Sequence, residues 1–123
     1  MAGWTGKILR VDLTAGTSVI EDIPEPWLRE YMGGRGLAAR YLYEEMDPKV
    51  DSLSPDNVLI FANGPLTGTP VPCGARYMVV TKGALTDAIT PSTSGGPWGP
   101  EVNFAGYDLM RLRGRAANPL PRT

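Results

Sequence analysis

Two loops rich in small and hydroxyl-bearing residues hold the side chains best suited to bind a ligand. The first ends in Gly74-Ala-Arg76, and the second contains Ser92-Thr-Ser-Gly-Gly96. Glycine lets a ligand approach the backbone closely, while hydroxyl and exposed N–H groups donate hydrogen bonds to anions. A single arginine beside such loops suits a phosphate or a flat polar heterocycle, because its donors lie in one plane. The alternative is two ordinary loops that join strands.

A strand-like run, Tyr77–Thr81, separates these loops, and the turn Lys82–Asp87 that follows has the length of a hairpin connection. If the next strand pairs antiparallel with this run, Arg76 meets the end of the second loop. We therefore expect Arg76 to face the same cavity as Ser94-Gly-Gly96. The alternatives are a solvated Arg76, or an arginine paired with one of two carboxylates, Asp87 or Glu101.

Composition excludes several kinds of protein. The chain has 123 residues, a net charge of −1, no His and one Cys. This length suits one domain, and the charge argues against nucleic acid or an anionic membrane as the partner. A Ser-His-Asp or Cys-His mechanism, a disulfide and a Cys-rich cluster are all impossible within the chain. We expect Cys73 to be a small buried thiol. No run approaches a membrane span and Met1–Lys7 lacks a signal-peptide core, so a cytoplasmic location is expected.

The pattern of apolar residues predicts an α+β fold, with mixed β-sheets and a few helices. A β-hairpin is predicted over Lys7–Asp22, with Gly16 in its turn. Further strands are predicted at Val58–Ala62, Tyr77–Thr81, Ala88–Thr90 and Tyr107–Arg113. Helices are predicted from Pro26 to the Gly33-Gly34 pair, over Leu37–Met46, and over Trp98–Ala105.

The segment Gly34-Arg-Gly-Leu-Ala-Ala39 matches the G-x-G-x-x-A fingerprint of dinucleotide-binding folds. That fingerprint should follow a β-strand, whereas a helical stretch precedes it here. We therefore favour a turn between two helices. A free nucleotide-binding module is the weakest interpretation of the chain.

The last ten residues, 114–123, contain two prolines and no apolar alternation, so they cannot complete a central strand. We expect an incomplete domain over residues 1–113, followed by an irregular tail at 114–123 that indicates a truncated or frame-altered chain.

An ordered set of motifs resembles the N-terminal part of the tungsten-containing aldehyde:ferredoxin oxidoreductases. The motifs begin with a Gly-x-x-Leu-Arg-Val-x-Leu pattern and continue at similar spacing to about Arg113. They are Gly6–Leu13, Gly33–Ala38, Glu45–Pro48, Val50–Pro55, Asn63–Thr69, Gly74–Lys82, Ser94–Gly96 and Phe104–Asp108. Each motif alone is weak, and their order and spacing carry the resemblance.

The resemblance implies a tungsten, or in some relatives molybdenum, held by the dithiolenes of two pterins whose phosphates share a magnesium ion. It implies a nearby [4Fe-4S] cluster, oxidation of aldehydes to carboxylic acids, and ferredoxin as the electron acceptor. The N-terminal domain would be the base under the bis-pterin, built from paired mixed sheets with helices. The cluster cysteines and the catalytic carboxylate and histidine of the family lie later in the chain, so this segment would be part of an enzyme.

The resemblance also implies site residues. Arg76, with Gly74 and Ala75 before it, matches an arginine placed between pterin and cluster. The loop that meets the phosphates and magnesium matches Thr93, Ser94, Gly95 and Gly96. An Asn often stands in the family where Thr93 is, so Thr93 is equivalent only if its main-chain carbonyl contacts the magnesium. Arg35 belongs to the same surface.

Two kinds of function follow. The chain is either a fragment of a tungstopterin oxidoreductase or a non-catalytic pterin-binding or structural subunit paired with a separate catalytic chain. In both, its partners are missing C-terminal domains or that second chain, with ferredoxin for the full enzyme, and a homo-oligomer is compatible. The [4Fe-4S] cluster enters only through the missing C-terminal part. Alone, the chain should be silent toward aldehydes and leave an apolar surface uncovered.

Overall fold

The computed structural model describes residues 3–118. They form six strands and three helices, in agreement with the predicted α+β class. In chain order these are β1 Lys7–Asp12, β2 Thr17–Asp22, α1 Glu25–Tyr31, α2 Gly34–Glu45, β3 Val58–Asn63, β4 Tyr77–Lys82, β5 Ile89–Ser94, α3 Trp98–Phe104 and β6 Leu109–Arg113.

The strands form one mixed sheet in the order β2-β1-β6-β3-β4-β5. Only β1 and β6 are parallel, and the other neighbours are antiparallel. The predicted hairpin is present, with Asp12 opposite Thr17 and Gly16 at φ +67° in its turn. The family resemblance implies paired sheets, and residues 3–118 make one sheet.

One face of the sheet, which we call the helical face, packs against α1 and α2. Alternation along the strands places Ile8, Ile60, Val80 and Leu109 on this face, and all four are fully buried. The helices contribute further buried apolar side chains: Leu28, Leu37, Ala38, Tyr41 and Leu42. Burying this shared core supplies most of the driving force for folding.

The opposite face, which we call the open face, carries the alternate residues of the same strands. Its apolar side chains are only half-buried: Leu9, Val11, Leu59, Phe61, Val79, Met110 and Leu112. Among residues 3–118, α3 is the helix that packs there, where Trp98 lies 5.0 Å from Phe61 and 4.5 Å from Tyr77 between ring centroids. The sheet is therefore covered by helices chiefly on one side.

Helix α2 begins three residues earlier than the predicted Leu37. The link between α1 and α2 is Met32-Gly33, and a Cβ at Gly33 would lie only 2.7 Å from the carbonyl oxygen of Asn63. This close approach and a φ of +148° at Gly33 require glycine. Gly34-Arg-Gly36 therefore forms the first turn of a helix that follows another helix. The dinucleotide fingerprint has no strand before it, as expected.

Strand β5 is longer than predicted, because Ser92, Thr93 and Ser94 pair with β4 and do not form a loop. Pairing with a neighbouring strand overrides the turn preference of these residues. Strand β6 starts at Leu109, two residues later than predicted. Residues 114–118 of the predicted tail add no helix or strand, and residues 119–123 lie outside the described part of the chain.

Candidate functional site

Three strands terminate together at one end of the sheet. Asn63 closes β3 opposite Tyr77, the first residue of β4, and Tyr77 is in turn opposite Ser94, the last residue of β5. We call this region the Tyr77 end. Both segments that the sequence predicts to bind a ligand lie at this end.

Arg76 immediately precedes β4 and is exposed. Its main-chain carbonyl accepts a hydrogen bond from the Thr67 hydroxyl at 3.3 Å. Within residues 3–118, Arg76 forms no ion pair, and Asp87 instead lies 4.0 Å from the ammonium of Lys82 at the other end of β4. Pairing of Arg76 with Asp87 or Glu101 therefore does not occur, and its guanidinium faces solvent.

The segment Thr93–Gly96 is exposed throughout. Thr93 and Ser94 belong to an edge strand, whose outward N–H and C=O groups have no strand partner among residues 3–118. The Thr93 hydroxyl donates to the Tyr77 carbonyl at 3.3 Å. A Cβ at Gly95 or Gly96 would meet nothing within 4 Å, and Gly96 adopts φ +85°. A ligand can therefore approach this backbone without meeting side chains.

The antiparallel pairing of β4 and β5 brings the two candidate segments together. Because Tyr77 is opposite Ser94, Arg76 and Gly95 lie just beyond the last pair of the ladder. In the described residues both segments form an exposed edge, and the cavity that they would share stays a prediction. An apolar cavity of about 250 Å3 lies instead at the other end of β4, lined in part by Leu42, Lys82 and Ile89.

Gly74 and Ala75 are half-buried in the loop before Arg76. A Cβ at Gly74 would lie 2.9 Å from the Leu66 carbonyl oxygen, so this glycine allows the loop to fold on itself. Cys73 is exposed and adopts φ +62°. The expected buried thiol is therefore wrong, because the loop turns this side chain outward.

Arg35 lies in the first turn of α2 and is exposed. A Cβ at the neighbouring Gly34 would lie 3.8 Å from Met78 Cγ in β4, so the start of α2 sits over the Tyr77 end. The N-terminus of a helix carries partial positive charge and unpaired N–H groups. Arg35 is thus at the same end of the sheet as Arg76.

A separate charged cluster lies on the helical face, beneath the end of α2. Arg10 makes two hydrogen bonds to Glu45, one of them at 2.9 Å, and one to Glu21 at 2.6 Å. These bonds, with Glu45 the strongest, raise the pKa of Arg10 above its usual value. Arg111 Nε lies 2.6 Å from Glu45 Oε2 without hydrogen-bond alignment. Burial lowers the pKa of Arg111. Arg10 and Arg111 therefore already form ion pairs with carboxylates.

Buried polar residues near the Tyr77 end escaped the sequence reasoning. Asn63 and Thr67 are 2% and 3% exposed. Thr67 donates a hydrogen bond to the carbonyl of Arg76, and Asn63 donates one to the carbonyl of Gly99, three residues after Gly96. Asp108 is equally buried and accepts bonds from the N–H groups of Thr5 and Gly6. A polar residue directly after an apolar run, as in Val58–Asn63, is the signal that could have marked Asn63.

Residues 3–118 contain no group of three or more His, Cys, Asp or Glu side chains able to hold a metal ion. No helix in this part of the chain has the length and apolar character needed to cross a membrane.

Residues 8–121 match the model of the family described as aldehyde ferredoxin oxidoreductase, N-terminal domain. The chain belongs to this family. The aldehyde ferredoxin oxidoreductase N-terminal domain thus accounts for the order and spacing of the motifs. The match confirms the family resemblance.

The curated relatives include tungsten-containing aldehyde ferredoxin oxidoreductases. That of Pyrococcus abyssi is 51% identical over 120 residues, covering 98% of this chain and 20% of the relative. That of Pyrococcus horikoshii is 49% identical with the same coverage. A Pyrococcus furiosus protein named as an aliphatic sulfonate oxidoreductase, WOR-like subunit, is 35% identical over 123 residues. The chain spans about a fifth of the length of these relatives.

A solved structure supports the fold. A chain of the active site complex BamBC of benzoyl coenzyme A reductase, solved with 1,5 dienoyl-CoA, superposes with a TM-score of 0.92 at 38% identity. The match covers 95% of this chain and 18% of the other. The mixed sheet with its three helices is therefore the fold of an N-terminal segment shared by larger oxidoreductases.

Proposed function

We propose that this segment is part of the platform for a tungsten or molybdenum bis-pterin cofactor, with magnesium bridging the pterin phosphates. The full protein would oxidise aldehydes to carboxylic acids and pass the electrons to ferredoxin. The observation that carries the proposal is the position of the exposed Arg76 next to the exposed Thr93–Gly96 backbone at the Tyr77 end.

The donors at this end fit a phosphate. Arg76 offers a planar fork for two oxygens, and the Ser94 hydroxyl is a further donor. Gly95 and Gly96 leave open the space that side chains would fill. The Thr93 main-chain carbonyl is the group proposed to contact magnesium, a cation that prefers oxygen ligands. Arg35, at the start of α2, would add positive charge to the same surface.

The same residues do not fit the other inorganic groups. A [4Fe-4S] cluster needs four ligands, usually cysteines, and the chain contains only Cys73. The tungsten would be held by the pterin dithiolenes, so the role of these residues is to bind and orient the phosphate ends. We propose that the cluster ligands and the groups that move protons belong to another part of the enzyme.

That other part requires a docking surface, and the open face supplies one. In β1 and β6 the charged residues Arg10, Arg111 and Arg113 lie on the helical face, whereas the open face carries Leu9, Val11, Met110 and Leu112. A sheet with one solvated side normally shows the reverse pattern, polar outward and apolar inward. We propose that the open face is covered by further domains of the enzyme or by a separate catalytic chain.

Hydrophobic dye binding tests this docking surface. The 123-residue chain should bind the dye or self-associate, because seven apolar side chains of the open face are only half-buried among the described residues. Leu9→Lys with Leu112→Lys should abolish this behaviour while circular dichroism stays unchanged. A wild-type chain that is monomeric and binds no dye would show that the segment is an independent domain.

Activity and cofactor content test the function itself. The chain alone should not reduce viologen dyes with aldehydes, whereas a full-length protein that carries this segment should do so and contain tungsten or molybdenum with pterin. Aldehyde oxidation by the 123-residue chain alone, or a full-length protein free of pterin, would refute the proposed function.

A further inference from the structure

Asn63 is a buried amide at the last position of β3. Its side-chain Nδ2 donates to the carbonyl oxygen of Gly99 at 2.9 Å, and its main-chain N–H donates to the Asp108 carbonyl at 2.9 Å. The side-chain Oδ1 accepts no hydrogen bond among the described residues. A buried amide with an unused acceptor destabilises the folded state relative to an apolar residue. Its presence at this position therefore requires another explanation.

The partner of Asn63 is pressed against the loop that ends in Arg76. A Cβ added at Gly99 would lie 3.2 Å from each of three atoms: the Ala75 carbonyl oxygen, Asn63 Oδ1 and Thr67 Cγ2. Gly99 is itself buried within α3. The first turn of α3 therefore touches the backbone directly before Arg76, and a larger residue at position 99 would push these neighbours apart.

These contacts connect both halves of the candidate site. Gly99 follows Gly96 by three residues, so holding Gly99 limits where the exposed Thr93–Gly96 segment can lie. Ala75 adjoins Arg76, and the Thr67 hydroxyl holds the Arg76 carbonyl at 3.3 Å. Asn63 is bonded to Gly99, which follows the Thr93–Gly96 segment and packs against the loop before Arg76.

We infer that Asn63 is a positioning residue, which fixes Gly99 against the Arg76 loop and so sets the place of Arg76 relative to Thr93–Gly96. The inference rests on the proposed function for its ligand, a phosphate group with magnesium. Asn63 does not touch the ligand in this account.

The chain contains a matched control for Asn63 at the other end of β3. Asn57 Nδ2 donates to the carbonyls of Ser52 and Lys82, at 2.8 and 3.1 Å. Asn57 therefore also connects backbone segments through a side-chain amide, but at the end of the strand remote from Arg76. Loss of either amide should destabilise the fold, whereas only loss of Asn63 should disturb the candidate site.

The experiment compares Asn63→Ala, Asn63→Asp and Asn57→Ala in the 123-residue chain by NMR. Amide hydrogen exchange and chemical shifts are measured along the chain, and binding of inorganic phosphate with magnesium is followed at Gly95 and Gly96. Gly99→Ala is a further variant, which disturbs the same contact without altering Asn63. The amide exchange rates at Arg76–Met78 and Ser94–Gly96 should be about tenfold higher in the Asn63 and Gly99 variants than in Asn57→Ala.

The two arms of the experiment separate the inference from the proposed function. Equal exchange at these amides in the Asn63 and Asn57 variants would overturn the positioning role, whatever the phosphate affinity. Selective loosening with weakened phosphate binding supports both. Selective loosening with phosphate binding unchanged or undetectable keeps the positioning of the two segments but refutes their assignment as the phosphate site.

Discussion

Strand β4 has a cation at each end, and the two have opposite environments. Lys82, the last residue, has a side chain only 7% exposed, and its ammonium donates to the carbonyls of Pro48 and Val50 at 2.8 and 2.5 Å. Arg76, one residue before the strand, is exposed and has no ion-pair partner within residues 3–118. One cation is used by the fold, and the other is available to a ligand.

The two loop regions next to these cations differ in the same way. Near Lys82, the segment Asp47–Asn57 folds on itself through side-chain bonds such as those of Asn57. Near Arg76, a Cβ added at Gly95 or Gly96 would meet nothing within 4 Å. We propose that a ligand binds at the exposed Tyr77 end, since loops on a rigid scaffold usually carry function.

Removing the Lys82 ammonium should have the largest effect on stability. Lys82→Met leaves two carbonyls without their charged donor, so the free energy of unfolding should fall by about 2–4 kcal/mol. Urea denaturation measures this change. Lys49→Met, at an exposed lysine, is the control and should change the value by less than about 0.5 kcal/mol. Equal stability of the two variants would abolish the contrast between the ends of β4.

Removing the Glu45 charge should have the next largest effect. Glu45→Gln deprives Arg10 and Arg111 of their shared carboxylate, and the free energy of unfolding should fall by about 2 kcal/mol, since the cluster is only partly screened by solvent. Glu44→Gln, which affects only a helix-surface pair with Arg40, is the matched control. A loss as small as that of the control would show that the Arg10 cluster is not structural.

Ionisation of Tyr41 at alkaline pH should lower the stability of the fold, by less than the loss of Glu45 and by more than the loss of Arg76. Burial raises the pKa of the Tyr41 hydroxyl from 10 to about 12. The neutral form is favoured in the folded state, so its stabilising contribution is complete below pH 10 and is lost as pH rises toward 12. Tyr41→Phe should remove this step from denaturation curves, and Tyr43→Phe, at an exposed ring, should not. A step that persists in Tyr41→Phe would refute the assignment.

Arg76→Ala should have the smallest effect on stability, within about 0.5 kcal/mol, because the side chain is exposed and makes no ion pair in the described residues. Thermal unfolding of the wild-type chain and of Arg76→Ala measures the difference in stability. A loss comparable with that of Lys82→Met would mean that Arg76 is a structural residue and is not free for a ligand.

Local patterns predicted most of the fold. The hairpin, the two central strands and the three helices follow from apolar spacing and from turn residues such as Gly16 and Pro26. The bounds that differ depend on contacts between distant residues. Gly34 starts α2 because Gly33 fits against Asn63, and Ser92–Ser94 extends β5 because β4 lies beside it. No single stretch of sequence contains that information.

Only the part of the candidate site that depends on local sequence could be predicted. The hairpin-length turn after β4 correctly predicted that Arg76 and the Ser94 segment meet. The buried contacts of Asn63 with Gly99, and of Thr67 with Arg76, join residues 36 and 9 positions apart and have no local pattern. The ion-pair alternatives for Arg76 could be excluded only once the positions of Asp87 and Glu101 were known.

The most direct test of the platform is the cofactor content of a full-length protein that carries this segment. Arg76→Ala should lower bound metal and pterin together by about tenfold, since a charged hydrogen-bond donor to phosphate is lost. Arg29→Ala is the control, because Arg29 makes an exposed pair with Glu25. Arg40 is less suitable as a control, because its guanidinium also stacks over the Trp27 ring. Full metal and pterin content in Arg76→Ala would contradict the assignment of the Tyr77 end as the cofactor site.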